Sequence, residues 1–423
     1  MKVLHINLLD KSGGAAKAAY RLHKGLLEAG VKSEMLVQLK EGDDYTVDGP
    51  QGKIERFFAI LRPTLDQMPL LLYGKRENVL FSPSFLLSRK MLKKIRSKKP
   101  DIVHLHWICG GTLRLEELAE IEQPIVWTLH DMWPFTGGCH YSGDCDRFLD
   151  GCGRCPKLGS TKNGDLSRRV FRRKAKIYKR VQNRLTIVGL SHWIGNLSQK
   201  SILLGDIPHV HLPNPIDTTL YKPIDRHVAR ALWQLPENKQ LILFGAVSAT
   251  EDPRKGFNEL RKALSLVYKK TKDVELVVFG SGKPERGDGF DFKVHYVGHL
   301  HDDAALVSLY NAVDVMVVSS IQEAFGQTAS EAMSCGTPVV AFESTGLPDI
   351  VNHKEDGYLA KPYDVKDLAD GIGWVLENED YTLLRINARK KILKKFGSKK
   401  VTKQYIDLYR NVMRAENPQS RRE

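Results

Sequence analysis

The chain has no apolar run that approaches the ~20 residues a helix needs to cross a bilayer, which excludes a helical membrane-spanning protein. No leader is expected at the start: MKVLHINLLDKSGG places Asn7, Asp10 and Lys11 where a signal peptide keeps an apolar core, so a soluble or peripheral cytoplasmic protein is expected. No aromatic-interleaved RNA motif and no helix-turn-helix pattern occurs, so no specific nucleic-acid partner is implied. Acidic residues are scarce in one half only. Residues 1–200 contain 34 Lys+Arg against 20 Asp+Glu, whereas residues 201–423 hold 30 of each, so the first half carries the whole formal charge of +14. Cysteine is rare, six in all, and four crowd into one short stretch; in a reducing cytoplasm such a cluster points away from disulfides.

What is present is enough apolar material, 42% of 423 residues, for two domains with cores of their own. Short apolar runs alternate with helical patterns, which predicts an α/β protein of parallel sheets and crossover helices. VLHINL, EMLVQL, DIVHLHW, PIVWTLH and TIVGL form the strands of a first Rossmann-like unit, and LILFGAV, VELVVFG, VHYVG, VMVVSS and TPVVAF those of a second. Between them HLPNPIDTTLYKP, with three prolines, reads as a linker. The expected domains are 1–212 and 213–400, with a last helix over about 400–415 and a disordered tail.

The segment IQEAFGQTASEAMSCGTPVV carries the most chemistry. Val315 to Val318 reads as a buried strand, and Gln327 to Cys335 as a helix stopped by Gly336 and Pro338. Backbone N–H groups of Phe325, Gly326, Gln327 and Thr328 therefore point at an anion, with Gly326 allowing close approach and the helix dipole favouring negative charge; a diphosphate fits there. Glu323 precedes this turn and Glu331 lies one turn into the helix, placed to accept charge-assisted hydrogen bonds.

This string resembles the E-x7-E signature of the retaining GT-B glycosyltransferases, the group 1 (family 4) enzymes, as do the following GTPVVAFESTGLPDIV and HKEDGYLAKPYDVKDLA. The resemblance implies a GT-B fold, two Rossmann-like domains whose parallel sheets face a central cleft: an N-terminal acceptor side, to which the last helix returns, and a C-terminal donor side. It implies that Glu331 takes the ribose and Glu323 the sugar of a UDP- or GDP-sugar donor, with no catalytic metal. In GAVSATEDPRKGFNEL, Lys255 is the expected phosphate cation; Ala246 stands where many members have arginine, and Arg254 is the candidate replacement. Gly280 and Gly282 resemble a donor-side glycine loop, His299 and Leu300 the segment whose backbone meets the base, and Gly13 and Gly14 the N-terminal glycine loop. His130, at the end of PIVWTLH, is the expected histidine against the transferred sugar, whereas His104 and His106 read as alternating strand residues.

Cys139, Cys145, Cys152 and Cys155 follow a C-x5-C-x6-C-x2-C spacing within an insertion over 133–160, and the Gly-Cys-Gly-Arg-Cys turn reads as a knuckle for structural zinc. Asp144 and Asp146 spell D-x-D inside this loop, away from any donor-domain strand, and are read as accidental. HDMWPFTGGCHY resembles the polysaccharide-assembly (colanic-acid-type) subset of the family. The basic stretches at 89–99 and 168–184 suit an anionic membrane surface. Together these features read as a peripheral, cytoplasmic, retaining glycosyltransferase acting on a lipid-linked saccharide acceptor. The alternatives are a sugar-nucleotide epimerase of similar fold and a non-catalytic basic protein that binds membrane or nucleic acid.

Overall fold

Runs rich in Val, Ile and Leu with no polar face form strands that must be covered on both sides, and parallel sheets with crossover helices are the arrangement that does this. The computed structural model describes residues 1–245, 252–283, 290, 292–300 and 302–416. The chain divides into two units, Met1–Pro213 with Val401–Glu423, and Asn214–Lys400.

The first unit holds a seven-stranded parallel sheet of β1 (Lys2–Leu9), β2 (Lys32–Leu39), β3 (Val47–Asp48), β4 (Ile102–Leu105), β5 (Ile125–Leu129), β6 (Leu185–Gly189) and β7 (His209–His211). Their order is β3-β2-β1-β4-β5-β6-β7. The chain leaves β1 in one direction and later returns to its other edge with β4, so the loops after β1 and β4 meet at the point where strand order reverses. In open α/β sheets that is where ligands bind. The register pairs His5 with His104 across these strands. Crossovers include α1 (Gly14–Glu28), α2 (Gly52–Asp66), α3 (Arg89–Lys98) and α4 (Leu166–Val181). The last helix, Ser398–Glu416, sends Val401, Tyr405, Leu408 and Tyr409 into a cluster with Val3, Leu22, Val126 and Val188 of this unit.

The second unit holds a six-stranded sheet of β8 (Gln240–Gly245), β9 (Val274–Phe279), β10 (Val294–Gly298), β11 (Val315–Val318), β12 (Val339–Phe342) and β13 (Gly357–Ala360), in the order β10-β9-β8-β11-β12-β13. Here the reversal falls between β8 and β11. The expected strands all form; β3, β7 and β13, of two to four residues, were too short to show a period, and β7 ends at the first residue of the sequence that reads as linker.

Candidate active site

In the second unit the loops after β8 and β11 are clamped together by backbone. Gly256 adopts φ +69°, and a Cβ there would lie 1.9 Å from the Ser319 carbonyl oxygen, so only glycine lets the two chains approach. The Ser319 hydroxyl donates to the carbonyls of Lys255 and Gly256 at 3.0 and 2.9 Å, and the Ile321 amide to that of Arg254 at 2.7 Å. This clamp delivers Lys255 to Glu323: Nζ donates to Oε2 at 2.7 Å, with both side chains about four-fifths buried. The Thr345 hydroxyl accepts from the Glu323 amide at 3.1 Å, and the Gly346 amide donates to the Glu323 carbonyl at 2.9 Å, which fixes the acidic loop from behind.

The helix Gln327–Ser334 begins directly after this loop. Gly326 holds φ +97°, and a Cβ there would be 2.8 Å from Leu347 Cδ2. No side chain caps the helix, so its first amides are left to an external acceptor. Glu331 is only 2% exposed; Tyr310 Oη donates to its Oε2 at 3.0 Å and Gln327 Nε2 to its Oε1 at 3.3 Å. Arg254 chelates Asp252 through Nε and Nη2, at 3.2 and 2.5 Å, so its charge is directed at a neighbour in its own loop. The Gly280 amide donates to the Gly298 carbonyl at 2.7 Å, which joins the ends of β9 and β10; Gly282 has open space where a Cβ would stand, His299 is exposed and Leu300 half-buried. Ala246 lies outside the described residues.

In the first unit, Gly13 takes φ +89° and α1 starts uncapped at Gly14. Asp10 anchors the turn before it by accepting from the amides of Glu41 and Gly42 at 2.8 and 2.9 Å. At the end of β5, His130 Nε2 lies 3.0 Å from His106 Nδ1, and His106 Nε2 lies 3.0 Å from His5 Nδ1. Three imidazoles thus form a chain whose inner end, His5 Nε2, has no partner among the described residues. A buried N–H without an acceptor is rarer than a lone pair without a donor. The network therefore assigns the direction His5 to His106 to His130, leaving the His130 proton on Nδ1. Burial lowers His130 to about 4, against the pull of Asp131, and takes His106 well below its ordinary value, so both rings are neutral near pH 7. Although burial works to raise Asp131, its bonds from His140, the Trp133 amide and the Trp107 indole hold its carboxyl below the usual range.

Two family models match. The description "Glycosyltransferase Family 4" covers residues 12–220 and "Glycosyl transferases group 1" residues 225–392, leaving little of the chain outside them. The chain belongs to the group 1 glycosyltransferases. It is similar to the putative colanic acid biosynthesis glycosyl transferase WcaC of Escherichia coli K12, 22% identical over 97% of this chain and 100% of that one. Its fold is that of sucrose-phosphate synthase from Thermosynechococcus elongatus, with TM-score 0.70 at 19% identity over 98% and 99% of the two chains. The same fold recurs in Anabaena HepE, solved with UDP and glucose, with TM-score 0.63 at 18% identity over 96% and 99%. The chain spans about half to two-thirds of the length of three further curated relatives, which it matches at 26–28% identity. The GT-B fold, two Rossmann-like α/β units, is thereby established.

For a group 1 glycosyltransferase, two placements differ from the sequence reading. Lys255 and Glu323, read as separate contacts to phosphate and sugar, are bonded to each other. His106, read as a strand residue, is the direct partner of His130, and only the H-x-H alternation in VHLHW hinted at it. The basic stretch 168–184 is two-sided: Lys174 is fully buried, Arg173 is bidentate to Glu116 at 2.8 Å on both arms, and Val170, Phe171, Ile177 and Tyr178 face the core, while Arg169, Arg172, Lys176, Lys179 and Arg180 stay exposed. His104 bonds Tyr409 and Thr128 and ties the last helix to the sheet.

Proposed function

We propose that this chain transfers a hexose-type sugar, with retention, from a nucleoside diphosphate donor to a lipid-linked saccharide during cell-surface polysaccharide assembly. The observation that carries this reading is the Lys255–Glu323 pair beside an uncapped helix start, at the strand-order reversal of the second unit. A diphosphate seated on the amides of 325–328 competes with Glu323 for the Lys255 ammonium. The cation then neutralises charge on the leaving diphosphate, and the released Glu323 turns to the sugar hydroxyls. Glu331 would reach ribose hydroxyls through Oε1, where Gln327 is its weaker partner. Arg254, Gly280, Gly282, His299 and Leu300 are proposed around the diphosphate and base, and Gly13, Gly14 and His130, from the other unit, at the acceptor and transferred sugar. The solved complex of the similar HepE with UDP and glucose supports a nucleotide donor.

A thermal-shift screen over UDP- and GDP-sugars tests the donor site, since a ligand that binds only the folded state raises its stability by mass action. One donor is expected to stabilise the protein; no shift by any of them overturns the reading. Glu331→Ala is expected to weaken donor binding about tenfold or more, consistent with loss of one charge-assisted bond. Glu323→Ala is expected to lower turnover with donor affinity largely kept. Donor affinity unchanged in the first variant contradicts the ribose role.

The acceptor's lipid and a membrane surface are proposed to meet the first unit at α2. Its Ile54, Phe57, Phe58 and Ile60 are 58–74% exposed, and Leu71 and Leu72 just beyond it 78% and 85%. Between α2 and α3 runs a groove of about 520 Å³ with Phe58, Leu65, Leu87 and Met91 on its walls and Arg62 and Lys90 at its rim. No helix among the described residues is long and apolar enough to cross a membrane. An apolar strip beside basic residues fits a surface-lying mode.

A further inference from the structure

The stretch from Trp133 to Asp165 is over thirty residues long, yet its only regular elements are single turns at Trp133–Phe135 and Pro156–Leu158. A structureless loop of that length inside a packed domain calls for a staple. Cys139, Cys145, Cys152 and Cys155 all line one cavity of about 20 Å³, walled by Phe81 and Phe148. That volume suits a single atom, not an organic ligand. Cys139, Cys152 and Cys155 are 7–8% exposed, Cys145 is half-buried, and all four are free thiols.

The backbone around them is shaped to serve sulfur. Gly137 donates its amide to Cys152 Sγ at 3.1 Å, and a Cβ on Gly137 would stand 2.6 Å from Cys152 Cβ. The amides of Leu158 and Ser160 donate to the Cys155 carbonyl at 3.2 and 3.0 Å, which curls the chain tightly behind this cysteine. Gly138, Gly151 and Gly153 take φ of +129°, +125° and +144°, which lets the loop fold back on itself over this short span. One amine already lies close by, and burial lowers it to about 7. Lys174, 0% exposed, bonds the carbonyls of Trp133 and Thr136 and stands 3.7 Å over the Trp133 ring, within electrostatic reach of Cys139 and Cys152.

We propose that these four cysteines bind one Zn²⁺ as a structural tetrathiolate that fixes the 133–165 loop. Four thiolates around Zn²⁺ carry a net charge of −2, which favours a proton on the neighbouring Lys174 amine; each thiol gives up its proton to solvent as its sulfur takes the metal. The sulfurs are not gathered within the 4.8 Å spread that joins His5, His104 and His106. Closing on the ion therefore takes side-chain rotation, which swings a thiol by roughly 3 Å between rotamers. The loop also presents His140, which bonds Asp131 at 2.7 Å and Ser82 at 2.8 Å, next to His130. The metal thus holds a structure that abuts the candidate site without entering the reaction.

The test is elemental analysis of the full-length protein purified without a metal-affinity tag, followed by Co²⁺ replacement after chelation. One zinc per chain is expected, along with the visible bands of tetrahedral cobalt thiolate. Cys152→Ser and Cys155→Ser should each hold at least tenfold less metal than the parent, whereas Cys335→Ser, in the other unit, keeps a full equivalent. If the serine variants fail to fold, thiol titration of the folded parent decides: four thiols becoming reactive only after chelation supports the site. Zinc well below one per chain in the parent, iron with labile sulfide in its place, or two disulfides in the native protein would each overturn it. None of these readings depends on a sugar donor, so the metal and the glycosyl-transfer proposals fail separately.

Discussion

Gly256 shows how one residue decides whether the site exists. Any side chain there meets the Ser319 carbonyl at bond-like range and must also hold a positive φ, so Gly256→Ala is expected to cost about 2 kcal/mol or more. Thermal unfolding checks it. Gly282→Ala is the control, because a Cβ there meets nothing within 4 Å among the described residues, and it should melt within error of the parent. Equal stability of the two variants would show that the clamp is not what brings Lys255 to Glu323. Glycine in DPRKGF is visible in the sequence, but its reason is a backbone contact 63 residues away and is not.

At the scale of elements, helices that look alike in sequence end in opposite places. The helix α4 carries the densest basic stretch, yet its apolar face and even Lys174 are buried, and Arg173 is spent on Glu116, so what it leaves exposed is charged and not apolar. The helix α2 has the weaker charge pattern, yet it leaves a strip of large apolar residues exposed. Periodicity reveals that a helix has an apolar face and not what covers that face. Replacing Phe57 and Phe58 together with aspartate is therefore expected to abolish flotation with anionic vesicles while leaving the melting temperature unchanged, since both side chains are more than half exposed. Reversing the charge of Arg172 and Lys176 on α4 should matter less to flotation. Undiminished flotation of the double aspartate variant would rule out α2 as the docking element.

At the scale of the whole molecule, the first unit buries an unusual number of imidazoles. Burial lowers His104 to about 3 and His23 to about 4, like His130, and takes His5 and His106 well below the ordinary value. Below pH 6.5 the unfolded chain takes up protons on these rings while the folded one does not, until pH nears 4. Stability is therefore fully present above 6.5 and falls as pH drops towards 4. A melting temperature several degrees lower at pH 5 than at pH 7 is expected, and a flat profile across that range would show that the rings are not held neutral.

The sequence by itself determined the α/β class, the expected strands of both sheets, and the glycine-led helix start with its two glutamates. These are local signals, written in periods of two and 3.6 residues and in backbone conformations that only glycine takes easily. Tertiary structure alone decided that Lys255 reaches Glu323, that His106 holds His130, that Lys174 is buried beside the cysteines, and that the apolar residues of α2 and not those of α4 are left bare. Each of these depends on which strand lies next to which, and a parallel crossover joins residues tens to hundreds of positions apart whose proximity leaves no mark on the residues themselves.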